Sequence, residues 1–300
     1  MSFRLPVFLL IFSVGCKPDL GAGQSLVTST RFLAVKGEPA EAVPGTMITY
    51  TLLVGSPDGT VMSPDANWAF CMAPKPLTEN NAVAAACEGD DPMNIALIGG
   101  PAAMMQAATP MKACSIFGPE PPDQLPGQPP LRPRDPDITG GFYQPVRVWM
   151  TGADDAFALE RIKCNLPNAP IDVVQDYVKR YVVNTNPQIA GVNFPPSATF
   201  GAKITLEASW TPDSVETYPV FDLVTRTLVD HREAMRVSWY ATAGQFEHDR
   251  TGRTETETDT TTNNDWTAPT TAGVVHFWIV LRDSRGGIDF QSFDVMVGPQ

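Results

Sequence analysis

The chain has 300 residues, 43% of them hydrophobic, enough for a sizeable core in one to three domains. Acidic residues outnumber basic ones, 33 against 21, for a net charge of −12. The bases are dispersed, which excludes a nucleic-acid partner, because phosphate backbones are held by clustered Lys and Arg. Proline accounts for 29 residues, close to twice the usual ~5%, a density that works against long helices and favours strands with ordered loops.

The first element is an export signal. Arg4 is the only charge ahead of an apolar run, Leu5 to Phe12, and Ser13, Val14 and Gly15 then precede Cys16. The run is too short to span a bilayer, which takes roughly 20 apolar residues. Val14-Gly15-Cys16 resembles the lipobox of bacterial lipoproteins, with Ser13 where that family favours Leu. The resemblance implies that residues 1–15 are a signal peptide and that Cys16 becomes a lipid-bearing N-terminus anchored in a membrane. Ordinary signal-peptidase cleavage near Gly21-Ala22-Gly23 is the alternative. Residues 16–30 are rich in Gly, Pro, Asp, Ser and Thr without a hydrophobic period, and are predicted to form a flexible tether.

Strands follow. Thr46 to Val54 alternates, with Ile48, Tyr50, Leu52 and Val54 on one face, and Ser56-Pro57-Asp58-Gly59 is a turn signal. Asn67–Cys71, Phe142–Met150 and Ala156–Cys164 read as further strands. Between them, residues 117–141 carry eight prolines and are predicted to be a long ordered loop covering the sandwich. Exported proteins pair their cysteines. Cys71, Cys87, Cys114 and Cys164 permit three connectivities, of which Cys71–Cys87 with Cys114–Cys164 is preferred for its short first loop.

A helix is predicted from Asn168 to Val183, with Ile171, Val174, Val178, Tyr181 and Val182 as its buried stripe, Asn168 as cap and Pro170 in the first turn. Beyond Pro187, Lys203–Trp210, Arg236–Gly244, Ala272–Asp283 and Ile288–Val297 read as strands. The run 274–281 is apolar on both faces, the mark of a central strand. Thr251 to Asn264 alternates Thr with acids and is predicted to be an exposed edge strand or a loop.

The segments VSWYATAG, WTAP and AGVVHFWIVLRDSRGG, between Val237 and Gly287, resemble bacterial immunoglobulin-like and PKD-like modules. The chain as a whole looks like the secreted lipoproteins of myxobacteria-type genomes. The expected fold is therefore mostly β: two Ig-like β-sandwich domains, 31–168 and 187–300, joined by a short helix in 169–186. The N-terminal one carries the large Pro-rich insertion.

His231, His248 and His276 lack metal-ligand spacing, and none of the common hydrolase or nucleotide-binding motifs occurs. Asp90-Asp91 and Asp154-Asp155 match no EF-hand loop and are predicted to be solvated turns. No metal or cofactor is expected. Two functions remain. One is a non-catalytic binding or scaffolding lipoprotein of the cell envelope, most naturally on the outer membrane, whose partner is an envelope protein or polysaccharide held by loops 117–141 and 244–264. The other is a polysaccharide- or peptide-processing enzyme whose site assembles from carboxylates such as Asp154, Asp155 and Glu160.

Overall fold

The computed structural model describes residues 23–76, 79, 82–119, 141–164, 166 and 169–299. Cys16, Asn168 and the Pro-rich stretch 120–140 lie outside them. The described chain is mostly β and is organised in five sheets.

The alternating residues of Met47–Ser56 build the first sheet. Its neighbours are Arg31–Glu38 on one side and Gly59–Thr60 and Met104–Ala108 on the other. A second sheet runs in the order Glu41–Ala42, Ala156–Lys163, Gly141–Trp149, Asn67–Cys71, Ile95–Gly99. Ile48, Tyr50, Leu52 and Val54 point inward as their spacing predicts, and pack on Trp68, Phe70, Val146 and Val148 of the facing sheet. The Ser56 turn forms as expected: the Ser56 hydroxyl donates to the Gly59 carbonyl, and Gly59 takes φ +111°, a value suited to glycine.

A third sheet (Ile189–Asn193, Lys203–Trp210, Thr261–Thr267, Gln245–Phe246) faces a fourth. The fourth runs Ser197–Thr199, Ile288–Gly298, Gly273–Arg282, Met235–Ala241, Arg250–Arg253. Trp210, Trp239, Trp266 and Phe277 fill the space between them. The hairpin of Thr217–Asp222 with Thr227–Arg232 forms a fifth sheet. Residues 244–264 are thus not one continuous loop, and the edge-strand alternative holds for part of them. They hold the short strand Gln245–Phe246, the edge strand Arg250–Arg253 and the start of the interior strand Thr261–Thr267, whose Thr side chains suit a strand.

Both disulfides are formed. Cys71–Cys87 ties the strand Asn67–Cys71 to the turn Ala85–Cys87, and Cys114–Cys164 ties the short helix Ala113–Phe117 to the end of Ala156–Lys163. The closures span 16 and 50 residues. Removing either restores loop entropy to the unfolded chain, so Cys114→Ala/Cys164→Ala is expected to lose about 2–5 kcal/mol in urea titration. An unchanged midpoint would contradict a structural role for that bridge.

Two expectations are corrected. The helix spans Ile171–Arg180, and its buried side is Val173, Val174, Tyr177 and Tyr181, packed on Phe221 and Leu228 of the hairpin. Ile171 and Val178 of the predicted stripe face solvent instead, because the two tyrosines offer more area to bury. The tether does not run to residue 30. Val27 is fully buried, its amide donates to the Ala241 carbonyl, and the Ser25 hydroxyl donates to Asp249 at 2.6 Å. Ala241 offers both an unpaired amide and carbonyl, which Ser25 and Val27 satisfy.

The two sheet pairs also meet each other. Trp278 and Val280, on the back of the central strand Gly273–Arg282, are fully buried against Val27, Leu33, Ala34 and Leu53. The Trp278 indole donates to Thr60 Oγ1 at 2.8 Å. The run 274–281 is apolar on both faces because one face fills the core between the third and fourth sheets and the other meets the first sheet.

Candidate functional site

The first and second sheets are open along one side, where Arg31–Glu38 and Ala156–Glu160 lie as unpaired edges. The turn after Gly273–Arg282 closes one end of this opening, leaving a cavity of about 470 Å³. Phe32, Val35, Phe157 and Ile288 supply apolar wall, and Tyr50, Tyr143, Glu160 and Arg282 supply polar groups.

Glu160 reaches this cavity because strand alternation puts it on the inward face with Ala156 and Ala158. It is 5% exposed. Its Oε1, and the hydroxyl of Tyr50 on the opposite sheet, have no hydrogen-bond partner among the described residues. Each such atom costs about 1–3 kcal/mol while it stays unsatisfied. Gly37 makes room for the carboxyl, since a Cβ there would collide with Glu160 Oε2. Burial raises the Glu160 carboxyl well above the usual carboxylate range, and Glu38 and Glu41 raise it further. The same burial, with Glu160 beside it, raises the Tyr50 phenol.

This shift makes a stability prediction. A folded carboxyl that holds its proton more tightly than the unfolded chain stabilises below the unfolded value, and loses that contribution as pH rises through the folded one. Folding stability should therefore fall by up to about 1.4 kcal/mol per pH unit above about pH 4.5 on account of Glu160. Glu160→Gln should flatten that slope in urea titrations across pH. A slope identical in both proteins would contradict the buried-acid assignment.

Behind the cavity, Glu41 is buried and receives the Tyr181 hydroxyl at 2.6 Å and the Asn184 amide at 2.9 Å. Arg161 lies 3.4 Å from it and donates to the hydroxyls of Tyr143 and Tyr181. Arg285, in the turn Asp283-Ser284-Arg285-Gly286-Gly287, gathers Glu233 at 2.6 Å, Glu216, and the Val182 carbonyl at 2.7 Å. Its guanidinium lies 4.4 Å from the Tyr218 ring centroid. Asp283 shapes this turn by accepting the amides of Arg285 and Gly287, both at 2.8 Å.

The other candidates are placed as follows. Asp155 and Asp90 converge from their two turns on Arg147, at 2.6 and 3.1 Å, so the cation between these acidic pairs is a guanidinium. Asp154 is exposed in its turn and takes no part in the cavity. The suggested carboxylate set thus separates: Glu160 alone lines the cavity. His276 lies 2.7 Å from Asp294 and His231 3.0 Å from Glu255, both by Nδ1, while the His248 backbone amide donates to Asn264 Oδ1 and its carbonyl accepts from Asn264 Nδ2. No group of three metal-binding side chains occurs among the described residues. Sequence reasoning missed Tyr50 and Arg285 as site residues. The available signals were a tyrosine in a core stripe, whose hydroxyl needs a partner, and an arginine inside an otherwise structural turn.

No family model and no curated protein matches the chain. Among solved structures, it is similar to a nucleoside hydrolase-related hypothetical protein from Saccharophagus degradans associated with carbohydrate metabolism. That match has 16% identity and a TM-score of 0.24 over 39% of this chain and 26% of that one. It is also similar to Escherichia coli alpha-2-macroglobulin (9% identity, TM-score 0.25, 93% of this chain and 23% of that one). A third is the Yersinia pseudotuberculosis adhesin InvE (11% identity, TM-score 0.25, 93% and 62%). The chain spans less than two thirds of each.

Proposed function

We propose that the protein is an envelope lipoprotein, anchored through lipid on Cys16, that binds or scaffolds an envelope protein or polysaccharide without turnover. Its two sheet pairs are read as Ig-like sandwiches over 31–168 and 187–300, with the helix segment 169–186 between them. The observation that carries the reading is the bracing of these pairs. Trp278 fills the seam on one side, and Arg285 and Glu41 hold the connecting segment 181–184 on the other. A braced pair presents its loops in one fixed arrangement, which lowers the ordering cost of engaging a large partner. The two disulfides suit an oxidising compartment outside the cytoplasm. The charge of −12 supports a partner other than nucleic acid.

Two measurements test this. Labelling with a palmitate analogue should tag the wild type and not Cys16→Ser, and the variant should leave the membrane fraction. Equal labelling would sink the anchor. Incubating the purified protein with envelope polymers should release no product, while pull-down from envelope extract should recover a partner. Hydrolysis of any polymer would favour the enzyme reading instead.

A further inference from the structure

The cavity between the open edges of the first two sheets goes beyond loop-borne binding. Its inner end holds two enclosed polar atoms, Glu160 Oε1 and the Tyr50 hydroxyl, that no described residue satisfies. Glu160 is 5% and Tyr50 1% exposed, so neither is served by bulk water. Both residues belong to the cavity lining, so a polar group entering there is placed to satisfy them.

The charges around Glu160 decide the sign of that group. From the edge strand comes Glu38 and from the short strand beside it Glu41, both raising the cost of a charge on Glu160. The facing sheet contributes Tyr50, and the neighbouring strand Tyr143. The cations nearby are occupied. Arg161 serves Glu41, Tyr143 and Tyr181, while Arg282 donates to the Leu33 carbonyl and to Ser238 Oγ. Asp283 is held by the amides of its own turn. Glu38 accepts from Asn186, and Glu160 has no cation partner among the described residues. Aromatic rings of Phe32, Tyr50, Tyr143 and Phe157 line the same space, and ring faces attract organic cations. A volume of about 470 Å³ falls within the roughly 300–1,000 Å³ of small-molecule sites.

We propose that this cavity binds a small organic ammonium ion, its N–H groups on Glu160 and Tyr50 and its apolar body along Phe32, Phe157 and Ile288. The carboxyl holds a proton in the free protein and gives it up when the ammonium enters. The exchange is Glu160–COOH plus R–NH3+ yielding the paired ions plus one H+ released to solvent. Affinity therefore rises with pH, by up to about tenfold per unit while free Glu160 stays protonated. Neither 117–141 nor 244–264 lines the cavity, so the outcome is independent of partner recovery in pull-down.

The test is calorimetric titration of the purified full chain with benzylammonium and butylammonium chlorides, with benzyl alcohol as the neutral control. Runs at about pH 6 and about pH 8, in buffers of differing ionisation heat, read the released proton. The expected result is saturable ammonium binding that tightens with pH, releases a proton and outranks benzyl alcohol. Glu160→Gln, checked for folding by near-ultraviolet circular dichroism, should lose at least about tenfold in affinity, or about 1.4 kcal/mol. Tyr50→Phe, which keeps the ring and removes only the hydroxyl, should weaken binding by a few-fold. Ammonium and alcohol binding alike, unchanged affinity in Glu160→Gln, or no saturable binding of either ammonium would each overturn the proposal.

Discussion

Arg285→Leu is expected to destabilise the protein by about 3–5 kcal/mol, the usual cost of removing one partner from a buried ionic cluster. The guanidinium is 1% exposed and is the shared donor for Glu233, Glu216 and the Val182 carbonyl. Burial, followed by Asp283, pushes the Glu233 carboxyl up to about 7 even with Arg285 pulling the other way. Without the arginine, Glu233 and Asp283 are like charges in a dry pocket, and one must take a proton to stay there. Both carboxyls then bind protons more tightly folded than unfolded, so the variant's stability falls as pH rises. Its deficit against the wild type should be largest near about pH 8 and shrink toward about pH 4.5, where unfolded carboxylates also protonate. Urea titrations at these two pH values measure it. A deficit that is small or independent of pH would mean that the cluster is not held by Arg285.

Trp278→Ala is the second large effect. The side chain is fully buried, donates to Thr60, and packs on Leu33, Ala34 and Leu53 across the seam. Truncating a core Trp costs about 3–5 kcal/mol, through lost burial and the cavity left behind. The loss falls on the surface shared by the first and fourth sheets, whereas the cores between sheets keep their own contacts. Scanning calorimetry should therefore show one transition in the wild type and separated transitions in Trp278→Ala, since coupling is what makes the halves melt together. An isolated 187–300 fragment is likewise expected to be less stable, because it would expose Trp278, Val280 and Tyr240 to water. A fragment melting at the wild-type temperature would show that the seam contributes nothing.

Several parts of the fold were legible. The alternation in Met47–Ser56, Lys203–Trp210 and the apolar run Gly273–Arg282 fell where local pattern predicts strands, because side-chain period two is a property of the strand itself. Other strands were not. Ile95–Gly99 and Met104–Ala108 are short edges without alternation, fixed by pairing with distant segments. The helix was visible, but its buried side was not, since partners on the hairpin chose Tyr177 over Ile171 and Val178.

Sequence alone determined the mostly β class, the main interior strands, the Ser56 turn and an even cysteine set suited to an oxidising compartment. These follow from periodicity, turn chemistry and composition, all of which act over a few residues or the whole chain at once. Tertiary structure alone decided that residues 25–27 are pinned to the Ala241 strand and that the back of Gly273–Arg282 faces another sheet. It likewise decided that Asp90 and Asp155 share Arg147, and that Glu160 lies across from Tyr50. Each of these depends on contacts between residues far apart in the chain, and burial of a charged group is priced by what surrounds it in space, which no local pattern encodes.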